Sequence, residues 1–187
     1  MYENSGYGLA GKYAELFSET TETSVASKEV LFVVRFGGGG MGTGSLLPTF
    51  AAKDAYHGFG RNVSLYSDNL LNTFTTTSDI TLDERFPVTC TDIATQYEGP
   101  IALGVRSRYP AKIVGLEKDG AGVYQSVMLT VQNDAGADYP EIRFADVVLM
   151  LAECEGNTTV GLDLLNEVRD RAHAPLYDAS SITTLFN

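Results

Sequence analysis

The sequence predicts an α+β chain in which one helical hairpin, over about residues 139–173, packs on an irregular region with a few short strands. Two observations lead to this fold class. In the last third of the chain, apolar residues recur at spacings of three and four, which is the pattern of amphipathic helices. Upstream, short β-branched runs are separated by stretches rich in Gly, Pro and polar residues, which is typical of short strands joined by irregular loops.

The first helix of the hairpin has a predicted start and a predicted end. Asp138 is expected to cap it, and Pro140 suits its first turn, where a missing backbone N–H costs nothing. Gly156 is expected to end it. The apolar positions predicted to share its buried face are Ile142, Ala145, Val148, Leu149 and Ala152.

The second helix follows after a short polar turn. Thr158 or Thr159 can cap it, and Pro175 marks its end. Its predicted buried face comprises Leu162, Leu165, Val168 and Ala172. The two helices together have about the length of one tetratricopeptide repeat, roughly 34 residues. Because a single repeat cannot bury its own apolar face, we expect these faces to pack on the upstream strand and helix or to stay partly exposed.

The upstream region is predicted to contain a helix over residues 5–17 and a strand over residues 29–36. The strand is a nearly continuous apolar run, which predicts burial on both of its faces. A Gly-rich loop follows at residues 37–44. It lacks the Gly-Lys-Ser/Thr sequence of a phosphate-binding loop, with no lysine until Lys53, so nucleotide binding is not indicated.

Two further elements are predicted in the middle of the chain. A short helix over residues 67–74 has Asp68 near its positive end. Residues 109–117 and 122–132 contain alternating β-branched runs on either side of a turn at residues 118–121, which predicts a β-hairpin.

Length and charge restrict the classes of function. The 187 residues favour a single domain, divided into an irregular mixed α/β ligand-side region, residues 1–135, and the helical hairpin with its tail, residues 136–187. The net charge of -11 disfavours attraction to nucleic acid or to anionic lipid. A neutral ligand suits such a surface better.

The sequence predicts neither a metal nor another cofactor. The histidines, His57 and His173, form no Cys–His cluster with zinc spacing. Cys90 and Cys154 either pair in an oxidising compartment or remain free, and for Cys154, near the end of an apolar helix, free burial is the alternative to a disulfide.

Catalytic motifs are missing as well. The sequence contains no Gly-x-Ser-x-Gly elbow. Asp83 and Glu84 are adjacent carboxylates, and neighbours in a loop point apart unless a turn brings them together. The chain is therefore predicted not to be an enzyme.

A candidate binding segment lies between the Gly-rich loop and the next helix. It combines aromatic rings, an imidazole, a guanidinium and an amide: Tyr56, His57, Phe59, Arg61, Asn62 and, close behind, Tyr66. Flat aromatic rings cover the apolar faces of pyranoses, while planar polar groups bind hydroxyls. These residues are predicted to bind a sugar. In the alternative interpretation the aromatic rings fill the core and the arginine pairs with a nearby Asp.

Four stretches, in this order along the chain, carry a family resemblance. They are Gly6-Tyr7 with Lys12-Tyr13-Ala14-Glu15-Leu16-Phe17; Lys28-Glu29-Val30-Leu31-Phe32; Asp83-Glu84-Arg85-Phe86; and Arg143-Phe144-Ala145-Asp146 with Leu149-Met150-Leu151-Ala152-Glu153 and Leu165-Asn166-Glu167-Val168-Arg169-Asp170-Arg171-Ala172. Together they resemble the SusD/RagB family of outer-membrane glycan-capture lipoproteins. The resemblance implies an α+β fragment of a predominantly α-helical SusD-like fold with a tetratricopeptide-like hairpin.

The departures from the family pattern concern both ends. Family members normally begin with a secretory signal and a lipid-modified Cys, continue through several tetratricopeptide-like helix pairs, and end with a Glu/Arg-rich helix. The chain is therefore expected to be an internal, middle-to-late piece of such a protein. Its attachment to the membrane would depend on a lipid anchor outside this sequence.

Two functions remain open. The resemblance implies non-catalytic binding of an oligosaccharide at the bacterial cell surface, for polysaccharide utilisation, and delivery to a SusC-like TonB-dependent transporter. In the alternative, the hairpin belongs to a helical-repeat scaffold that binds a protein partner and has no small-molecule ligand of its own.

Overall fold

The computed structural model describes residues 6–18, 28–37, 42–51, 66–92, 108–121, 124–126, 135–184 and 186. The α-helices in these ranges are α1 (Leu47–Ala51), α2 (Asp68–Thr77), α3 (Arg85–Thr89), α4 (Ala111–Val114), α5 (Phe144–Glu155) and α6 (Thr159–Arg171). The strands are β1 (Val30–Val34), β2 (Thr91–Asp92), β3 (Arg108–Tyr109), β4 (Leu116–Lys118), β5 (Tyr124–Ser126) and β6 (Tyr139–Arg143). Two 3₁₀ helices lie at Tyr13–Phe17 and Ala179–Thr184.

The described strands form antiparallel pairs, β1 with β6, β2 with β3 and β4 with β5. The β1–β6 pair matters most for the architecture, because it joins the start of the chain to the strand that leads into the helical hairpin. In its register Phe32 lies opposite Ile142, and Val34 lies opposite Tyr139.

The predicted start of the first hairpin helix is wrong. The segment with Asp138 and Pro140 was expected to begin the helix, but residues 139–143 form β6, and α5 begins at Phe144. Pairing with β1 satisfies the backbone of this segment, and proline is tolerated because a two-stranded pair has only edge strands. The helix is capped from within, since the Arg143 N–H donates to Asp146 Oδ2 at 2.8 Å.

The turn between the two helices is confirmed. Gly156 follows α5 with φ of 62°, a conformation that favours glycine. Thr158 is the cap of α6, because its Oγ1 accepts from the Gly161 N–H at 3.1 Å. The helix ends at Arg171, before Pro175.

The predicted buried faces are correct in part. Buried residues common to prediction and structure are Ala145, Val148, Ala152, Leu162 and Ala172. Leu149 on α5 and Ile142 on β6 are exposed, contrary to the prediction. Leu164, which was not predicted, is buried with Phe144, and Leu9 from the start of the chain packs on this cluster. The hairpin core is thus closed partly by the N-terminal segment, as expected.

The predicted N-terminal helix is wrong over most of its length. Within residues 6–17, only Tyr13–Phe17 is helical, and it is a 3₁₀ helix. Glycines in the upstream part of this segment weaken a helix. The 3₁₀ helix contributes to a second core cluster, which consists of Ala10, Tyr13, Leu16, Phe17, Val88, Leu116 and Ala135.

Burial of β1 on both faces is also wrong. Phe32 is 55% exposed, and Val34 is exposed as well. These exposed side chains show that one face of the β1–β6 pair is not covered. Tyr139 and Ile142 of β6 are exposed too, which makes this face apolar.

The predicted middle elements exist with shifted bounds. The helix begins at Asp68, one residue later than expected, and continues to Thr77. The β-hairpin is β4 with β5, while the predicted first strand over residues 109–117 is divided among β3, α4 and β4. Both cysteines are free thiols: Cys90 is buried, and burial raises its pKa, whereas Cys154 is exposed. Of the two alternatives the sequence left open, Cys154 is therefore free, but without burial.

Candidate functional site

Most of the predicted sugar-binding residues lie outside the described residues. Tyr56, His57, Phe59, Arg61 and Asn62 belong to this group, and their assignment stays a prediction. Tyr66 is described and half-buried. It lies at the carboxyl end of the candidate segment, directly before the residue that caps α2.

The cap of α2 fixes the point at which the candidate segment ends. Ser67 Oγ accepts from the Leu70 N–H at 3.2 Å, and Asp68 occupies the first turn. A carboxylate in the first turn is favoured by the partial positive charge of a helix N-terminus. The sequence predicted Ser67 as the first residue of this helix, whereas the structure makes it the residue that caps α2.

The chain that enters the candidate segment is fixed by the stem of the Gly-rich loop. The Gly37 N–H donates to the Thr43 carbonyl oxygen at 3.1 Å, and Thr43 Oγ1 donates to the Gly37 carbonyl oxygen at 2.8 Å. Backbone hydrogen bonds between Ser45 and Ala135 extend the stem. These contacts place residues 37 and 43 next to each other.

Asp138, directly before β6, binds the chain next to the same stem. Its Oδ1 accepts from the Phe36 N–H at 2.8 Å, and its Oδ2 lies 3.7 Å from Arg35 Nη1. The residue that was predicted to cap a helix therefore secures the end of β1. An Asp is a good acceptor for backbone N–H groups wherever they are unpaired, so local sequence did not distinguish the two roles.

A buried carboxylate and its partners form what we term the Glu29 cluster, which consists of Glu29, Arg143, Arg171 and Tyr13. The Glu29 side chain is 0% exposed. Its Oε2 accepts from the Ala10 N–H at 2.6 Å and from Arg171 Nη1, and its Oε1 accepts from Arg143 Nη1 at 3.3 Å. A buried carboxylate is tolerated when it is paired and hydrogen-bonded in this way.

Tyr13 completes the cluster and connects it to a second acidic residue. Its ring centroid lies 5.9 Å from the Arg143 Cζ and 5.5 Å from the Arg171 Cζ, within the range of cation–π attraction. The Tyr13 N–H donates to Glu84 Oε2 at 3.1 Å, and Glu84 Oε1 lies 3.4 Å from His173 Nδ1. The cluster thus ties the N-terminal segment, β1, the segment before α3 and both helices of the hairpin together.

Asp83 and Glu84 have different partners, as expected for adjacent carboxylates. Asp83 is buried and accepts two hydrogen bonds from the Arg85 side chain, Nε to Oδ1 at 2.9 Å and Nη2 to Oδ2 at 2.6 Å. Burial raises the pKa of the Asp83 carboxyl. The hydrogen bonds and charge of Arg85, together with the Ser78 hydroxyl, lower the pKa by more than burial raises it, so the pKa lies below its ordinary value. This carboxylate is ionised at neutral pH.

The residues of the Glu29 cluster connect elements of the fold, and the sequence did not predict them as a group. Glu29, Tyr13, Arg143 and Arg171 all occur within the stretches that carry the family resemblance, yet no role was predicted for them. The available signal was a charged residue directly beside a buried apolar run, as at Glu29 before β1. Such a signal shows that a partner is needed but does not identify the partner.

The described residues contain neither a metal-binding group nor a membrane-spanning helix. No group of three or more His, Cys, Asp or Glu side chains in this part of the chain is arranged to hold a metal ion. Within the same residues, no helix has both the length and the apolar content needed to cross a lipid bilayer.

Comparison with known proteins identifies the family. The model of the SusD family matches residues 38–185, which is most of the chain. The chain therefore belongs to the SusD family, and the predicted family resemblance is confirmed. No curated protein matches the chain.

Several solved structures share its fold. Surface glycan-binding protein A from Bacteroides thetaiotaomicron, in complex with laminarihexaose, superposes with a TM-score of 0.64 at 18% identity, over 96% of this chain and 43% of that one. Surface glycan-binding protein A from Bacteroides uniformis gives 0.61 at 18% identity, over 96% and 38%. A structure with a xylogluco-oligosaccharide gives 0.53 at 23% identity, over 94% and 37%.

These matches confirm the predicted fold class, an α+β portion of a SusD-like fold. The chain spans about two fifths of the length of these structures.

Proposed function

We propose that this chain takes part in the non-catalytic binding of an oligosaccharide at the surface of the bacterial outer membrane. The observation that carries the proposal is membership of the SusD family, together with the shared fold of a surface glycan-binding protein that holds laminarihexaose. The acidic surface, with a net charge of -11, suits a neutral saccharide.

We place the binding site in the segment with Tyr56, His57, Phe59, Arg61 and Asn62, followed by Tyr66. The described geometry supports this placement from both sides. The stem at Gly37 and Thr43 fixes the chain upstream, and the cap at Ser67 fixes it downstream. A segment held at both ends by a rigid scaffold is a common setting for ligand-binding side chains.

The buried carboxylates support a non-catalytic role. Glu29 accepts from two guanidinium groups, and Asp83 accepts two hydrogen bonds from Arg85. A general acid needs a proton near neutral pH, usually through a raised pKa. The lowered pKa of Asp83 has the opposite direction.

We also propose that residues 1–135 and 136–187 belong to one domain. The contacts that support this are the pairing of β1 with β6 and the hydrogen bonds from Arg143 and Arg171 to Glu29. Both sets of contacts join the two parts. The Glu29 side chain is fully buried, so separating the parts would leave its charge without the two guanidinium partners.

Family membership further supports attachment to the outer membrane through a lipid anchor and delivery of the saccharide to a SusC-like TonB-dependent transporter. One observation favours an additional protein contact. The open face of the β1–β6 pair carries the exposed side chains of Phe32, Val34, Tyr139 and Ile142. A contiguous apolar face of this kind is typical of an interaction surface.

Titration of the full chain with neutral oligosaccharides tests the proposed function. We expect saturable binding of laminarihexaose or a xylogluco-oligosaccharide, and weaker binding by Tyr56→Ala and Arg61→Ala. If the chain binds and both variants keep the wild-type affinity, the site assignment is wrong. The scaffold function replaces the proposed one if the chain binds no oligosaccharide but still binds the transporter. In that case the double substitution Phe32→Ser and Ile142→Ser should abolish the complex of the chain with the transporter.

A further inference from the structure

Two aromatic–arginine pairs, Phe74 with Arg85 and Tyr177 with Arg169, form what we term the aromatic–arginine row. The Arg85 Cζ lies 5.6 Å from the Phe74 ring centroid, and the Arg169 Cζ lies 4.4 Å from the Tyr177 ring centroid. The pKa of Arg85 is raised mainly by its hydrogen bond to Asp83, with a smaller electrostatic contribution from Tyr177. The Glu84 N–H donates to the Ala172 carbonyl oxygen at 3.0 Å, so the segment that carries Arg85 lies beside the end of α6, which carries Arg169.

Tyr177 is exposed, but its backbone is held firmly. The Asn166 side chain clamps it from α6, because Nδ2 donates to the Tyr177 carbonyl oxygen at 2.8 Å and Oδ1 accepts from the Tyr177 N–H at 2.9 Å. Arg169 Nε donates to the Pro175 carbonyl oxygen at 2.6 Å, which fixes the guanidinium that contacts the ring. The Tyr177 residue is nevertheless 43% exposed.

An exposed ring that is already ordered is suited to ligand binding. Ordering a side chain on binding costs free energy, and a residue that is already held in place has less of this cost to meet. The neighbouring Leu176 is 55% exposed and adds apolar surface beside the ring.

The chemistry of the row matches a neutral saccharide. A tyrosine ring covers the apolar face of a pyranose, and guanidinium N–H groups donate to hydroxyl oxygens. Each guanidinium has five N–H donors. Among the described residues, the hydrogen bonds given above use one guanidinium nitrogen of Arg169, Nε, and two of Arg85, Nε and Nη2, so each guanidinium keeps further N–H donors.

We propose that the aromatic–arginine row is a second oligosaccharide contact, in which the face of the Tyr177 ring opposite Arg169 stacks on a pyranose and the guanidinium groups of the row donate to other hydroxyls of the oligosaccharide. This inference rests on the proposed function, since it assigns the same class of ligand to another part of the chain. A ligand that reached both surfaces would gain affinity from each.

Calorimetric titration of the full chain with laminarihexaose and with a xylogluco-oligosaccharide tests the inference. Tyr177→Ala is expected to weaken binding of at least one of them about tenfold, as for an aromatic residue at the centre of a contact. Tyr177→Phe keeps the ring and should stay within about twofold of the wild type. Tyr139→Ala is the matched control, because Tyr139 is 42% exposed and lies on the open face of the β1–β6 pair.

The outcomes separate this inference from the proposed function. If the wild type binds, Tyr177→Ala binds equally well and Tyr56→Ala is weakened, the second contact does not exist and the proposed function stands. If the wild type binds neither oligosaccharide, both are overturned. Circular dichroism of each variant shows whether the fold is retained, and a loss of affinity by Tyr177→Ala that Tyr139→Ala reproduces also contradicts the inference.

Discussion

The helical hairpin and the Glu29 cluster are held together by different kinds of contact. The hairpin depends on neighbours in sequence, such as the Thr158 cap, whose partner Gly161 is three residues away. The Glu29 cluster joins residues separated by 19, 114 and 142 positions, namely Glu29 with Ala10, Arg143 and Arg171. Short-range patterns therefore predict the hairpin, whereas the contacts that attach it to the rest of the chain come from charge pairs that no short-range pattern specifies.

The hairpin and the Glu29 cluster also differ in how much a substitution lowers the free energy of unfolding. Apolar burial in the hairpin tolerates substitutions that conserve side-chain volume, which usually cost less than about 1.5 kcal/mol. A buried charge has no such tolerance, because removing its partner leaves an uncompensated charge in a low dielectric. Variants of the two regions should therefore differ in severity.

The largest effect is expected for Glu29→Ala. Loss of this carboxylate leaves the guanidiniums of Arg143 and Arg171 buried without their partner, and breaking a buried pair costs about 3–5 kcal/mol. Urea-induced unfolding measures the change in the free energy of unfolding. Glu29→Gln should lose less, because it keeps an oxygen for the Ala10 N–H, and Glu153→Ala on the exposed side of α5 should lose almost nothing. Equal stability of Glu29→Ala and Glu153→Ala would contradict the role of the cluster.

Gly161→Ala should produce the next largest effect, within the hairpin itself. A Cβ at Gly161 would overlap the Gly156 carbonyl oxygen and lie 3.2 Å from the Ala152 carbonyl oxygen, both of which are backbone atoms that cannot rotate away. Overpacking of this kind costs about 1–3 kcal/mol. Gly11→Ala is the control, since a Cβ there meets no atom within 4 Å. If the unfolding midpoints of the two variants match, the close approach of α5 and α6 is not as described.

Thr158→Ala is expected to cost about 1 kcal/mol, the usual value for loss of an N-cap side chain. The comparison with Thr159→Ala is direct, because the sequence allowed either threonine to be the cap and the structure assigns the role to Thr158. Thermal unfolding of both variants distinguishes them. A larger loss for Thr159→Ala would move the start of α6 by one residue.

The smallest effect is the pH dependence from Asp83. Its folded-state pKa is lowered, so its contribution to stability is present above the unfolded-state pKa of about 3.9 and is lost as the pH falls through the folded-state value. The stability difference between the wild type and Asp83→Asn should be constant near neutral pH and should shrink below about pH 4. A difference that grows as the pH falls would contradict the assigned direction. Urea unfolding at several pH values measures it.

Particular residues show how much the sequence predicts. Gly156 and Thr158 were placed correctly, because a helix end and a cap depend on residues a few positions apart. Asp138 and Pro140 were assigned to the wrong element, because their segment pairs with β1, more than 100 positions upstream. Phe32 was expected to be buried because it lies in a continuous apolar run. Such a run does not show whether another part of the chain will cover each face of the strand.

The candidate site shows the same division. Aromatic and polar residues around Tyr56 were recognised from composition alone. Their assignment to a sugar remains a prediction. Tyr177 was not selected, because its ring gains significance only from Asn166 and Arg169, which reach it across the turn after α6.

Titration of the full chain with laminarihexaose and a xylogluco-oligosaccharide, followed by analysis of the recovered sugar, tests the central claim most directly. The account predicts saturable binding of at least one oligosaccharide and recovery of that oligosaccharide unchanged. New reducing ends would show that the chain is an enzyme. The absence of binding to either neutral oligosaccharide would contradict the proposed glycan-binding function.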